Sequence, residues 1–166
     1  THSTPTLYYD DISPQSRCCL MLIELLQAPI LKQYLNLSSF QNLSSNKIYT
    51  VPTLVINPNL ILTDDHAIMM YICENSTHAF AKQLLTGNGE HRYNIINRMF
   101  FESSILFRKY SEIMSDVILN GLHSSKVQSH LGDIENCYDL LEGFLKKNGY
   151  MVGCSMTLVD LCILCT

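Results

Sequence analysis

Apolar and polar positions follow different patterns in the two halves of the chain. Up to about residue 76, short β-prone runs alternate with longer apolar runs that fit helices. Asn57-Pro58-Asn59 stands between two of these short runs and predicts a tight hairpin turn. The predicted strands are Thr6–Tyr9, Leu31–Leu37, Thr53–Ile56 and Leu60–Leu62, and the predicted helices are Arg17–Leu26 and Asp64–Glu74. Their order is βαβ-ββα, which predicts a small α/β domain over residues 5–76.

The second half has only helical periodicity. Residues 77–89 are mostly polar and contain glycine, which predicts a linker. Beyond it we expect helices over about 90–120 and 125–147, and a third helix after Thr157-Leu-Val-Asp160. That tetrapeptide has the spacing of a capping box, with Asp160 in place of the usual Glu. The pattern therefore predicts an all-α helical domain over residues 90–166.

Composition narrows the class of protein. Hydrophobic residues make up 47% of the 166 residues and charged residues 16%, enough apolar material for a packed core. A net charge of −4 argues against a nucleic-acid-binding surface. No apolar run has the length of a membrane span, and no export signal opens the chain. Seven cysteines within apolar runs indicate reduced thiols, hence a cytoplasmic protein, and the histidines lack metal-ligand spacing, so no metal is expected.

Both ends of the chain suggest a fragment. The sequence starts at Thr1 without a methionine, and it stops inside the apolar run Leu161–Cys165 without a capping residue. A helix that stops there leaves its last carbonyls and its apolar face without partners. We therefore expect a C-terminally truncated chain with an incomplete helical domain.

The first candidate site lies between the first strand and the first helix, at Ile12–Arg17. A helix N-terminus favours an anion through its N–H groups and dipole. Redox proteins with this fold order place a Cys-x-x-Cys motif there, but here the positions are Ser13 and Ser16. A serine hydroxyl that donates to a thiolate lowers the pKa of that thiol. The alternative is that Ser13 only caps the helix.

Two further segments are candidates for ligand contact. Pro52 stands at the entry of a strand, where a cis peptide bond would turn the preceding backbone groups outwards for pairing with a peptide-like ligand. Thr63–Ile68 opens a helix, whose first N–H groups could hold a carboxylate. The alternatives are a strand-entry proline and ordinary N-capping by Asp64.

Three stretches resemble one known family. Leu7–Leu26, Val51–Glu74 and Met151–Leu164 are similar to the most recognisable segments of the cytosolic glutathione transferases, more narrowly the insect delta and epsilon classes. Phe100–Gly121 is similar to the long helix of an epsilon-class member with a role in steroid hormone synthesis. The resemblance runs from Leu7 to the last residue, and the remaining C-terminal helices of the family are missing.

The resemblance implies a thioredoxin-like, glutathione-binding domain followed by an all-α domain, in a transferase that uses glutathione as co-substrate. Ser13 matches the catalytic serine that stabilises the thiolate, and Thr157 with Asp160 matches a structural capping box. The implied glutathione-binding residues are Tyr49, Val51, Pro52, Asp64 and Asp65. The implied pocket for a hydrophobic, sterol-like co-substrate comprises Pro14, Leu37, Phe107, Arg108, Tyr110, Ser111, Met114, Ser115 and Ile118. The family is dimeric, which implies a homodimer with His66–Met70 at the subunit contact.

Four positions depart from the family pattern. Asp65 replaces a serine and would repel the α-carboxylate of glutathione, and Tyr49 replaces a histidine that contacts its glycyl end. The segment Ser38–Thr50 is short, and Tyr110 replaces an acidic residue that is tied to steroid hydroxyl recognition. Three alternatives thus stand beside an active transferase: a catalytically weak relative that binds hydrophobic ligands, a non-functional truncated product, and a disulfide reductase that uses Cys162-Ile-Leu-Cys165.

Overall fold

The computed structural model of the chain describes residues 4–35, 50–85 and 89–166. The chain forms two compact units that divide after Leu85. This division lies within the segment 77–89 that the sequence predicts to be a linker.

The first unit is a four-stranded mixed sheet with helices. Its elements are β1 (Thr6–Tyr9), α1 (Pro14–Leu26), β2 (Leu31–Tyr34), β3 (Thr53–Asn57), β4 (Leu60–Leu62), α2 (Asp65–Asn75) and α3 (Ala79–Leu85). The strand order is β2-β1-β3-β4, with β1 and β2 parallel and the other two pairs antiparallel. The predicted βαβ-ββα order and the thioredoxin-like fold class are confirmed. Strand β2 ends at Tyr34, three residues before the predicted end.

The core of this unit joins the sheet to its two longer helices. Leu7 of β1 and Leu54 of β3 are neighbours in the antiparallel register, and both are fully buried. Leu22 of α1 and Ile68 of α2 are also fully buried. Burial of a side chain of this size stabilises the fold by about 1.5–3 kcal/mol, so these four positions fix how α1 and α2 sit on the sheet.

Helix α3 is a correction to the predicted linker. Ala81, Leu84 and Leu85 are buried, and the helix packs against α2. Their spacing of three and four residues places them on one helix face, which the polar residues around them conceal in the sequence. The segment therefore belongs to the first unit as a short amphipathic helix.

The second unit is helical, as predicted. Its elements are α4 (Gly89–Phe101), a π-helical turn (Glu102–Leu106), α5 (Phe107–Asn120), α6 (Ser125–Asn148) and α7 (Leu158–Cys165). The long helix expected over about 90–120 is thus helical throughout but contains the π turn, in which Phe107 N–H donates to the carbonyl of Glu102. Such turns inside α-helices frequently occur near functional sites.

Local signals end the helices where the sequence indicates. Gly121 follows α5 with φ +80°, and Gly149 ends α6 in the left-handed conformation. Ser124 caps the start of α6 by accepting a hydrogen bond from Val127 N–H at 3.2 Å. The predicted capping box of Thr157 and Asp160 is present at α7.

Asp160 also fastens the loop before its own helix. One carboxylate oxygen accepts from the Thr157 N–H and hydroxyl, both at 2.8 Å, and the other accepts from Met151 N–H at 2.9 Å. Thr157 and Met151 are buried, so a single carboxylate satisfies three donors that have little access to water. Among the helices of residues 4–35, 50–85 and 89–166, none is long and apolar enough to cross a bilayer.

Candidate functional site

Ser13 is the N-cap of α1 and the centre of the candidate site. Its Oγ accepts a hydrogen bond from Ser16 N–H at 3.2 Å, and its carbonyl accepts from Arg17 N–H. The bond from Ser16 uses a lone pair of the Ser13 oxygen, so the hydroxyl proton remains available for a second partner. Ser13 can therefore cap α1 and also donate a hydrogen bond to a thiolate, so these two interpretations do not exclude each other.

A buried aspartate holds the loop that carries Ser13. The Asp10 side chain accepts from Ile12 N–H at 2.7 Å, and Asp10 N–H donates to the buried Ser16 hydroxyl at 3.4 Å. These bonds tie the end of β1 to the first turn of α1 and so fix the position of Ser13. The sequence gives only a weak signal for Asp10, an aspartate directly after a strand, where an Asx turn is common.

The Val51–Pro52 peptide bond is cis, as the sequence predicts. Both residues are buried, and β3 begins directly after them. The Thr53 hydroxyl donates to the Thr50 carbonyl at 2.6 Å, which fastens the turn. Among residues 4–35, 50–85 and 89–166, no backbone hydrogen bond of a turn or loop involves Val51, so its N–H and C=O fit the expected role in pairing with a ligand.

Asp64 is the N-cap of α2. Its side chain is exposed and accepts from Ala67 N–H at 3.0 Å, while its carbonyl accepts from Ile68 N–H. The capping alternative is thus present in the structure. The carboxylate nevertheless stays in solvent with further lone pairs, where it can attract an ammonium group.

Asp65 has a different environment from Asp64. It is 4% exposed, and one carboxylate oxygen accepts from the Cys18 thiol at 3.5 Å and lies 3.8 Å from His66 Nε2. The expected repulsion of a ligand carboxylate requires the Asp65 carboxylate to face that ligand. The Asp65 carboxylate instead contacts Cys18 of α1 inside the first unit. The geometry therefore gives no direct support to this repulsion.

The Cys19 thiol, next to Cys18 in α1, is buried and resists ionisation. Burial raises the pKa of Cys19 well above its usual range, and the neighbouring Cys18 and Asp65 raise it further. The Cys19 thiol also lies 3.8 Å from the carbonyl of Asp65. Cys19 is therefore a packed thiol that joins α1 to α2 and has no nucleophilic character near neutral pH.

The sheet brings three candidate segments to one edge: the loop of Ser13, the cis-proline turn and the start of α2. Strand β1 runs towards this edge and β3 starts from it, with Tyr8 opposite Thr53. Strand β4 runs back to the same edge, because Leu62 lies opposite Leu54. The loop of Ser13, the cis-proline turn and the start of α2 all follow these strand ends, and the contact of Asp65 with Cys18 joins the two helix starts. The sequence-predicted segments thus share one end of the first unit.

Seven of the nine predicted co-substrate residues lie on one side of α5. Phe107, Ser111, Met114 and Ile118 are spaced by four, three and four residues, which places them on one face. Arg108 and Ser115 flank this face and are exposed, and Tyr110 is half-buried with its ring 6.2 Å from that of Phe107. Pro14 is buried at the first position of α1. Leu37 and Tyr49, with nearly all of the short segment Ser38–Thr50, lie outside the described residues.

A charged network borders the same helix. Lys109 donates to Asp133 of α6 at 2.7 Å and to Glu112 at 3.3 Å, and these bonds raise the pKa of Lys109. The bond and charge of Lys109 hold the pKa of Asp133 below its usual range. His130 lies 3.1 Å from Asp116 across the two helices. The sequence gives no signal for this network, because its members are far apart along the chain.

The chain is similar to insect glutathione S-transferases in sequence and in structure. It is 30% identical over 163 residues to glutathione S-transferase 1 of Manduca sexta, covering 95% of this chain and 73% of that protein. It superposes on an epsilon-class glutathione S-transferase of the housefly Musca domestica with a TM-score of 0.82 and 30% identity, covering 98% of this chain and 75% of that one. A glutathione transferase homolog of Drosophila mojavensis, solved with bound glutathione, gives a TM-score of 0.83, 28% identity and coverage of 98% and 75%. No protein-family model matches the chain.

Proposed function

The chain belongs to the glutathione S-transferase family and is an enzyme of that kind, and from this premise we propose that Ser13 stabilises the glutathione thiolate during transfer. The thiol loses its proton to solvent, and the sulfur forms a bond to an electrophilic carbon of the second substrate. The leaving group departs with its electron pair, or an addition product takes up a proton. The product is a thioether of glutathione.

The position of the Ser13 hydroxyl is the observation that carries this proposal. The N–H of Ser16 donates to its oxygen, which polarises the O–H bond and makes it a better donor. A hydrogen bond to a charged group contributes about 1.5–3 kcal/mol, and this energy favours the thiolate over the thiol. The dipole of α1, a helix of 13 residues, adds to the same preference.

The remaining parts of glutathione match charged and hydrogen-bonding groups at the same end of the first unit. The backbone of Val51, beside cis-Pro52, is proposed to pair with the cysteinyl part of glutathione. The exposed carboxylate of Asp64 would attract the ammonium of the γ-glutamyl end, and the N–H groups at the start of α2 would hold its α-carboxylate. In this arrangement Asp65 contributes its backbone, since its side chain is buried. Tyr49 is proposed to contact the glycyl end.

The second substrate is proposed to be hydrophobic and steroid-like. Support comes from the apolar and aromatic side chains of α5 and from the resemblance of residues 100–121 to the long helix of Noppera-bo, an epsilon-class transferase tied to ecdysteroid biosynthesis. Tyr110 stands where that protein has an acidic residue, and its hydroxyl can donate to a ketone or pair with a hydroxyl. Phe107 and Met114 supply apolar surface.

The assembly and compartment follow from the same resemblance. We propose a cytoplasmic homodimer, which the reduced state expected of the cysteines supports. Of the segment His66–Met70 expected at the subunit contact, His66, Ile68 and Met69 are buried within the chain. Ala67 and Met70 are half-buried and are the members of that segment open to a partner.

The test is the ionisation of bound glutathione in Ser13 variants. In Ser13→Ala, the pKa of the bound thiol, followed by its thiolate absorbance, is expected to rise by about 1–2 units, the equivalent of one charged hydrogen bond. Turnover of a chlorodinitrobenzene should fall about 10- to 100-fold. Ser13→Thr keeps the hydroxyl and should remain close to the wild type.

Loss of the cap is the confounding effect, and the chain offers a matched control. Ser124 caps α6 with the same 3.2 Å bond, so Ser124→Ala removes an equivalent cap in the other unit. Each alanine variant should lose about 1 kcal/mol of stability, but only Ser13→Ala should change the thiol pKa. Equal pKa values in wild type and Ser13→Ala would remove Ser13 from the catalytic role and favour a relative that binds hydrophobic ligands.

A further inference from the structure

Ser13 lies in a loop that side-chain packing does little to hold. Ile12, the residue before it, is 80% exposed, and Asp11 is exposed as well. An apolar side chain left in water contributes no burial energy, so these two residues do not anchor the loop by packing. Pro14 is buried in α1, so packing anchors only the helical end. The position of the Ser13 hydroxyl therefore depends mainly on hydrogen bonds around the loop.

Asp10 supplies the anchor at the strand end of the loop. It directly follows β1, is 2% exposed, and accepts a hydrogen bond from Ile12 N–H on Oδ1 at 2.7 Å. Burial of a carboxylate is costly unless a cation or hydrogen bonds compensate it. In residues 4–35, 50–85 and 89–166 no ion pair involves Asp10, so its hydrogen bond to the loop is the compensation that the structure shows.

Asp10 also holds the residue that fixes the Ser13 oxygen. The Ser16 N–H donates to Ser13 Oγ at 3.2 Å. The hydroxyl oxygen of Ser16, which is 0% exposed, accepts from the Asp10 N–H at 3.4 Å. Asp10 is thus bonded to the residue before Ser13 and to the residue that donates to its oxygen. The aspartate constrains Ser13 from both sides.

The direction of the Ser13 hydroxyl matters for the proposed transfer reaction. A hydrogen bond weakens steeply as its angle departs from linearity, and a serine side chain has three staggered rotamers. A donor that already points at the charge it stabilises acts without a reorganisation cost. A looser loop would leave the hydroxyl directed at the thiolate for only part of the time.

We propose that Asp10 is a positioning residue of the transferase, which acts on glutathione only through Ser13 by keeping the hydroxyl directed at the thiolate. This role rests on the proposed function of Ser13 and extends it by one residue. In that function the tripeptide is held elsewhere, by Val51 and Asp64. Asp10 should therefore influence the ionisation of the thiol and not the affinity for glutathione.

The test measures the pKa of enzyme-bound glutathione by thiolate absorbance, and the pH dependence of kcat with a chlorodinitrobenzene. In Asp10→Ala the thiol pKa should rise by about 0.5–1, which lowers kcat about threefold to tenfold below that pKa, while KM for glutathione stays within about twofold. Well above the raised pKa the thiol ionises without help, so kcat should return towards the wild type. A variant that is only less stable would show no such pH dependence.

Asp10→Asn separates position from charge. Asparagine forms the same turn, because its side-chain oxygen also accepts from the N–H two residues on, so the thiol pKa should stay within about 0.3 of the wild type. Asp11→Ala is the matched control, since Asp11 is exposed and carries the same charge one residue along. Loss of a nearby negative charge alone favours a thiolate and lowers the thiol pKa. The rise expected in Asp10→Ala has the opposite sign.

The outcomes distinguish the role of Asp10 from the proposed function. An unchanged or lowered thiol pKa in a folded Asp10→Ala, together with a raised one in Ser13→Ala, would overturn the role of Asp10 and leave that of Ser13. A thiol pKa that Ser13→Ala leaves unchanged would remove both. Adding Asp10→Ala to Ser13→Ala should produce no further rise, and a further rise would contradict the proposal, because Asp10 would then act without Ser13.

Asp10→Ser keeps the test decisive where Asp10→Ala does not fold. Serine forms the same turn more weakly than asparagine, so the thiol pKa in Asp10→Ser should lie above that in Asp10→Asn. Equal thiol pKa values in these two variants, with circular dichroism showing both folded, would overturn the proposal.

Discussion

Replacement of Asp160 by alanine is the most sensitive test of how the second unit is held together. The carboxylate accepts three hydrogen bonds, from Met151 N–H and from the N–H and hydroxyl of Thr157. Thr157 is 0% exposed and Met151 4%, so water cannot readily replace the lost acceptor. A buried donor left without its partner costs about 1–3 kcal/mol. Three such losses give about 3–6 kcal/mol once partial relaxation is allowed.

Urea unfolding at neutral pH measures this loss directly. A destabilisation of 3–6 kcal/mol would be a large share of the about 5–15 kcal/mol typical of a folded domain, and it should lower the Tm by about 10 °C or more. Asp139→Ala is the control, because Asp139 is exposed on α6 and should change stability by less than about 0.5 kcal/mol. A loss in Asp160→Ala no larger than in Asp139→Ala would refute the reasoning.

Two further predictions follow from the acidic residues. Asp65→Ser should lower the Tm and change the Kd for glutathione by less than about threefold, because the carboxylate contacts Cys18 inside the first unit. A Kd tighter by about tenfold or more, measured by calorimetry, would restore the repulsion expected from the sequence. Asp133→Asn should destabilise the chain near neutral pH, and the difference from wild type should vanish as the pH falls through the lowered pKa of Asp133. This sign follows because a carboxyl whose pKa is lower in the folded state stabilises it only above the unfolded pKa. Urea unfolding at about pH 7 and pH 3, with Asp139→Asn as control, checks it; a difference that does not shrink between these two pH values would contradict it.

Local signals account for the parts of the site that the sequence predicts. Ser13 and Asp64 stand directly before apolar helical runs, where short oxygen-bearing side chains satisfy the first N–H groups. Pro52 opens a strand, a position that suits a cis peptide bond. Gly121 and Gly149 take positive φ where the helices end. Each of these features depends on a few consecutive residues and can therefore be predicted from the sequence alone.

Features that depend on contacts between distant residues are not predictable from the sequence pattern. The burial of Asp65 depends on Cys18, 47 residues earlier. Helix α3 is too short for a clear period, and its burial comes from packing against α2. The π turn after Phe101 has no local signal in the composition. These three features depend on tertiary packing, which the sequence pattern does not show.

The central claim is that the edge formed by Ser13, Val51 and Asp64 binds glutathione. Calorimetric titration of the folded chain with glutathione, compared with a variant in which Asp64 is replaced by alanine, tests it most directly. We predict one saturable site per chain, and an affinity at least about tenfold weaker when the Asp64 carboxylate is removed, because the γ-glutamyl ammonium loses its charged partner. No binding by a chain that circular dichroism shows to be folded would contradict the account.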